Sequence, residues 1–200
     1  MQWVRDNTSF YLYFFVMILF FDTETTWLPS DYNSPISDIE NRPRIVQLAW
    51  CLCDDKWLVL RERNHIVKPK WYTIPDGMIH WISQQKADDE WLPLWYALLD
   101  FMFDVSRCSK IVAHNMSFDH HVVWCEVYRL LKDDNIFQWK EIFCTMMQSI
   151  EICKIESKYW YKYPKLQELY THLFNKEFEW AHDALYDVKA CIECYFEITK

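Results

Sequence analysis

Three groups of acidic and histidine side chains could carry chemistry in this chain. Asp22 and Glu24 lie in "FFDTETTW", where the apolar run Phe10–Phe21 ends. Residues two apart in a strand project from the same face, so a strand here aims both carboxylates at one point. Like charges that close repel unless a cation lies between them, and hard oxygen donors select Mg²⁺ or Mn²⁺. A solvated acidic strand end has the same pattern, so the pair alone does not decide. Asp119 stands in "VAHNMSFDHHVV", where a short apolar strand gives way to a helix. The helix dipole favours a carboxylate in a first turn, with or without a ligand. The third group is His182 and Asp187 in "WAHDALYDVKAC". On one continuous helix they would point apart. If Asp183 caps the helix, His182 belongs to the preceding loop and its ring can swing toward Asp187. Imidazole ordinarily titrates at about 6.5, which suits it to take a proton from water near neutrality.

The elements that must position these groups follow from hydrophobic periodicity. The run from Phe10 to Phe21 reads as a buried strand; it is too short for a membrane span of about 20 residues, and acids rather than a small-residue cleavage site follow it. The Ser-, Asp- and Pro-rich segment 30–43 reads as a surface loop. "RIVQLAWCLC" (44–53) and "WLVLRERNHIV" (57–67) read as a hairpin closed at "DDK". Leu94, Leu98, Phe101, Met102 and Val105 recur at helical spacing over 94–105. "KIVA" (110–113) is a strand, 117–131 a helix, and "EIFCT" (141–145) a short strand. "PKLQELYTHLF" (164–174) is a helix with Pro164 in its first turn. A last helix spans 183–198, with Leu185, Val188, Ile192 and Tyr195 as its apolar stripe. Neighbouring helical residues point about 100° apart, so His120 and His121 read as packing or surface residues beside Asp119. This order predicts an α/β domain, a mixed sheet with helices packed on it.

Length and composition set the class. Two hundred residues suit a single domain spanning 1–200, with a core over about 10–198. A net charge of -8 argues against a broad basic surface that grips long duplex through its phosphates. It does not exclude an enzyme that approaches phosphate through bound cations. Eight irregularly spaced cysteines indicate reduced thiols and a cytoplasmic protein. The pair Cys191 and Cys194 lies inside a helical pattern without a second pair, and reads as structural rather than zinc-binding or redox-active.

In order, D-x-E at the end of a first strand, H-N-x-x-F-D at a strand-to-helix turn and H-D-A-x-x-D at the start of a late helix resemble the DnaQ-like, or DEDDh, 3′–5′ exonuclease family. The chain is similar to the proofreading type found in bacteria and their phages, and the resemblance runs from about Leu19 to Ile198. "RIVQLAW", "KLQELY" and "HDALYDVKAC" contribute to it. The resemblance implies a ribonuclease-H-like fold with a mixed five-stranded sheet flanked by helices. It implies that Asp22, Glu24, Asp119 and Asp187 hold two divalent cations, Mg²⁺ or Mn²⁺, and that His182 is the general base. Thr25, Leu28, Asn115 and Phe118 match substrate-binding positions. The expected activity is removal of 5′-mononucleotides from 3′ ends of single-stranded DNA. The alternatives are an exoribonuclease or oligoribonuclease, a proofreading subunit partnered with a DNA polymerase, and an inactive module that binds strand ends. No polymerase-binding tail follows the last helix, which favours a stand-alone enzyme without membrane association.

One departure stands out. The chain has one glycine and twelve tryptophans, whereas average usage implies about 14 glycines in this length. The family pattern has glycine where Trp27 follows D-T-E-T-T, and commonly at the positions of Trp81 and Trp180. Trp57 falls in a hairpin turn that favours glycine. The chain is either tryptophan-rich by nature or carries tryptophan where the organism, reading UGA as glycine, places glycine.

Overall fold

The computed structural model describes residues 16–29, 31, 34–35, 37–90, 92–132 and 136–200. Strand β1 (Ile18–Thr25) is followed by the antiparallel hairpin β2 (Ile45–Cys53) and β3 (Val59–Ile66). Helices α1 (Gln84–Asp89) and α2 (Leu94–Arg107) lead to β4 (Lys110–Ala113), α3 (Met116–Leu131) and β5 (Glu141–Cys144). Helices α4 (Thr145–Gln148), α5 (Ile150–Cys153), α6 (Leu166–Phe174) and α7 (Ala184–Ile198) complete the chain. The sheet order is β3-β2-β1-β4-β5. β1 pairs antiparallel with β2 and parallel with β4, and β4 pairs parallel with β5.

β1 is the central strand, which explains its composition. Leu19 and Phe21 pack with Phe101 of α2 and Val122 and Val123 of α3 on one face. Ile18 and Phe20 pack with Val188, Ile192 and Tyr195 of α7 on the other. A strand covered on both faces needs an apolar run rather than alternation. β2 is buried throughout, whereas β3, at the sheet edge, carries Arg61, Glu62 and Arg63, charges that discourage edge-to-edge pairing. Arg61 and Arg63 reach Asp100 of α2, and buried Asp104 accepts a 2.8 Å hydrogen bond from the Trp50 indole nitrogen.

Several expectations are corrected. β1 begins at Ile18, with Val16 and Met17 outside it; Phe10–Phe15 of the expected strand lie outside the described residues. Pro164 precedes the cap residue Lys165 rather than occupying the first turn of α6, and its carbonyl is engaged by His114 Nε2 at 3.0 Å. Helices α1, α4 and α5 were not foreseen. All eight cysteines are free, and Cys191 and Cys194 are buried on α7. No helix of the described residues is long and apolar enough to cross a membrane.

Candidate active site

The carboxyl ends of the parallel strands β1 and β4 gather the acids. Asp22 and Glu24 continue the face of β1 that carries Ile18 and Phe20, the face covered by α7. Asp119 enters from the first turn of α3, directly after β4. Its Oδ1 accepts hydrogen bonds from the Thr23 backbone N–H at 2.9 Å and the Thr23 hydroxyl at 2.7 Å, which ties α3 to β1. Asp187 lies in the first turn of α7. As expected, Asp183 caps that helix, accepting from Leu185 N–H at 3.1 Å, and leaves His182 in the loop. His182 donates its backbone N–H to Asp187 Oδ2 at 3.0 Å. One ligand atom each from Glu24, His182 and Asp187 lie within 4.8 Å of one another.

Crowding shows in the proton affinities. Burial, and then the charges of Asp119, Asp187 and Glu24, push the Asp22 carboxyl well above the usual range. Burial, with Asp187 and Asp119 beside it, raises Glu24 to about 9. Burial raises Asp119 to about 7 against the two Thr23 hydrogen bonds, and Asp187 to about 7 against the His182 N–H. No lysine or arginine among the described residues forms an ion pair with these four. Oxygen donors this crowded and this short of positive charge are a donor set that could hold a divalent cation.

The other expected residues are placed as follows. Thr25 is buried and its hydroxyl donates to the Trp27 carbonyl at 3.0 Å, while Leu28 is exposed at the strand end. Asn115 caps α3 in a left-handed conformation with φ 66°, and Phe118 packs against the core beneath α3. The His120 ring packs against Phe137 with centroids 4.5 Å apart and planes tilted by 32°, and burial lowers its pKa to about 4, in keeping with a packing role. His114, from the same motif, is similarly structural: Thr145 Oγ1 lies 3.0 Å from its Nδ1.

Two residues escaped sequence reasoning. Gln47 of β2 is buried opposite Glu24. Its Oε1 accepts the Ala184 N–H at 3.2 Å, and its Nε2 donates to Asp183 at 3.3 Å and Asn64 at 2.8 Å. It therefore pins the start of α7 to the sheet; the available signal was a lone amide inside an apolar strand. His80, buried, shares with His182 a cleft of 660 Å³ that Trp81, Lys86, Trp180 and Asp183 also line. A lone histidine in a loop gave no signal.

A five-stranded mixed sheet flanked by helices, with acids and a histidine at the carboxyl ends of its parallel strands, defines a ribonuclease-H-like nuclease domain of the DnaQ-like, DEDDh type. The chain belongs to the Exonuclease family (RNase_T), whose profile matches residues 19–195. E. coli Exonuclease I in complex with a dT13 oligonucleotide is similar in structure, with a TM-score of 0.71 and 20% identity over 92% of this chain and 41% of that one. The same enzyme with a dA16 oligonucleotide gives 0.68 and 19%, again over 92% and 41%. The chain thus spans about two fifths of the length of those structures, and at this identity the likeness shows the fold. No curated protein matches the chain.

Proposed function

We propose that the chain is a metal-dependent 3′–5′ exonuclease that releases 5′-mononucleotides from 3′ ends of single-stranded DNA. The observation that carries this reading is the convergence of Asp22, Glu24, Asp119 and Asp187, from β1, α3 and α7, with the His182 ring within 4.8 Å of Glu24 and Asp187 ligand atoms. The four carboxylates would hold divalent cations, Mg²⁺ or Mn²⁺, two in number if the family arrangement is kept. Such cations would screen the acids from the phosphodiester and stabilise charge on the attacking and leaving oxygens.

The chain's own residues supply the rest. His182 takes the proton of the attacking water on an imidazole nitrogen, and its position is set by its backbone N–H bond to Asp187. Thr23 holds Asp119, and Gln47 holds the start of α7, so the ligands are fixed before substrate arrives. Thr25 and Leu28, directly after Glu24, receive the terminal nucleotide, supported by Asn115 and Phe118. The dT13 and dA16 oligonucleotides bound to the structural neighbours favour single-stranded DNA over RNA; nothing in the comparisons supports a polymerase partner.

Purified protein is incubated with 3′-labelled single-stranded DNA and the matched RNA, with Mg²⁺ or EDTA. Mononucleotide release from DNA that EDTA stops is the expected result. Release from RNA alone would replace the DNA reading with the ribonuclease one. No release from either would leave a strand-end-binding module.

A further inference from the structure

Four tryptophans hold a backbone conformation suited to glycine. Trp57, Trp81, Trp139 and Trp180 have φ of 73°, 57°, 65° and 62°. In this left-handed region the β-carbon crowds the following carbonyl oxygen, so only a few per cent of non-glycine residues enter it, with Asn, Asp and His enriched; Asn115, Lys132, Lys154, Asn175 and His182 also hold it here. Here four of the ten tryptophans among the described residues do so. The single glycine, Gly77, does the same, with φ 76°. Three of the four indoles contribute little packing: Trp81, Trp139 and Trp180 are 84%, 90% and 69% exposed. Trp57 differs, because its ring stacks on Phe196 at 4.6 Å. Trp50 is the contrast: fully buried in β2, it donates its indole N–H to Asp104 and behaves as a tryptophan should.

We propose that Trp57, Trp81, Trp139 and Trp180 are glycines in the organism's own protein, specified by UGA codons in a genetic code that reads UGA as glycine. The backbone angles and the composition, one glycine and twelve tryptophans where average usage implies about 14 glycines, point to the same substitution independently. It alters the cleft beside His182, where Trp81 and Trp180 stand with His80. Glycine at both positions removes two indoles from the wall of that cleft and so widens the approach to His182. The glycine assignment stands apart from the nuclease reading; the role of the wider cleft in admitting a 3′ end rests on it.

The gene decides first. UGA at the four positions with UGG at Trp50 is expected, and UGG at the four overturns the proposal. Peptides of the protein isolated from its native host should carry the mass of glycine at the four positions; tryptophan masses there overturn it too. In the recombinant chain, W81G, W139G and W180G should each raise the melting temperature by about 2–4 °C through relief of strain. W57G, which gives up the Phe196 stack, should gain least. A lower melting temperature for W139G, the most exposed of the four, would count against the conformational basis. With Mg²⁺, the W81G/W180G chain should cleave a 3′-labelled oligonucleotide with a several-fold higher kcat/KM than the chain as written, and an unchanged kcat/KM overturns the role of the cleft. If neither chain cleaves, the nuclease reading fails, while codons, peptide masses and melting temperatures still judge the glycine assignment.

Discussion

Asp22 and Asp187 differ from ordinary surface acids because each sits among other carboxyls with no cation of the described residues to offset them. Removing either should abolish cleavage by removing a metal ligand, while the fold persists. Asp22→Ala and Asp187→Ala are therefore expected to give no measurable mononucleotide release in Mg²⁺, with metal-free melting temperatures at pH 8 equal to or above wild type. Wild-type turnover in either variant would remove that residue from the site. His182 makes a different prediction. It lies in the loop and donates its backbone N–H to Asp187, so His182→Ala keeps that bond and removes the ring. Turnover should fall by about 10²–10⁴, the usual range for a lost general base, with binding of a 3′ end little changed. Single-turnover rates and equilibrium binding on one labelled oligonucleotide separate the two effects.

At the level of elements, the geometry of the site depends on how α7 meets the sheet. Gln47 supplies an acceptor to the Ala184 N–H and a donor to Asp183, across 137 and 136 positions of sequence. Gln47→Leu leaves a buried helix-end N–H unsatisfied, which should cost about 1–3 kcal/mol in a denaturant melt. It should also lower kcat more than it raises KM, because Asp187 and His182 ride on that helix start. Gln47→Met, which keeps the length of the side chain but neither amide atom, should lose as much of both as Gln47→Leu; wild-type kcat in the Met variant would reduce Gln47 to packing alone. This residue also marks the limit of what the sequence displays. β1, the hairpin, α2, α3 and α7 are legible because each presents several turns or pleats of apolar periodicity to a core. Helices α1, α4 and α5, of six, four and four residues, are too short to establish a period. The acids and His182 are legible because each group sits within a few residues at a strand or helix end. The contacts of Gln47, and the approach of His80 to His182, exist only after strands and loops distant in sequence are brought together.

The whole molecule carries a formal charge of -8, and its most crowded negative charge lies at the site, which makes stability depend on pH and metal together. Asp22, Glu24, Asp119 and Asp187 hold protons more tightly folded than unfolded, chiefly through burial. Their contribution is fully present below the ordinary carboxylate range of about 4. It is lost as pH rises through about 7 for Asp119 and Asp187 and on toward about 9 for Glu24. His80, His114, His120 and His121, whose burial lowers their proton affinity, act in the opposite direction. That effect is complete once unfolded histidines are neutral, above about 7. Buried thiols raised by burial, such as Cys51 and Cys53 at about 12, add to the carboxylate effect only as unfolded thiols ionise near about 8.5. Between pH 7 and 8 the carboxylates dominate, so the melting temperature of EDTA-treated protein should fall across that interval. Cations that bind only the folded state add stability by mass action, and they compete with protons for the same oxygens. Millimolar Mg²⁺ should therefore raise the melting temperature more at pH 8 than at pH 6, and the doubly neutralised Asp22→Asn/Glu24→Gln protein should show a flatter pH profile and little response to Mg²⁺. A metal-free profile equally steep in that variant and in wild type would place the pH dependence outside the acid cluster, and an equal response to Mg²⁺ would place the cation elsewhere.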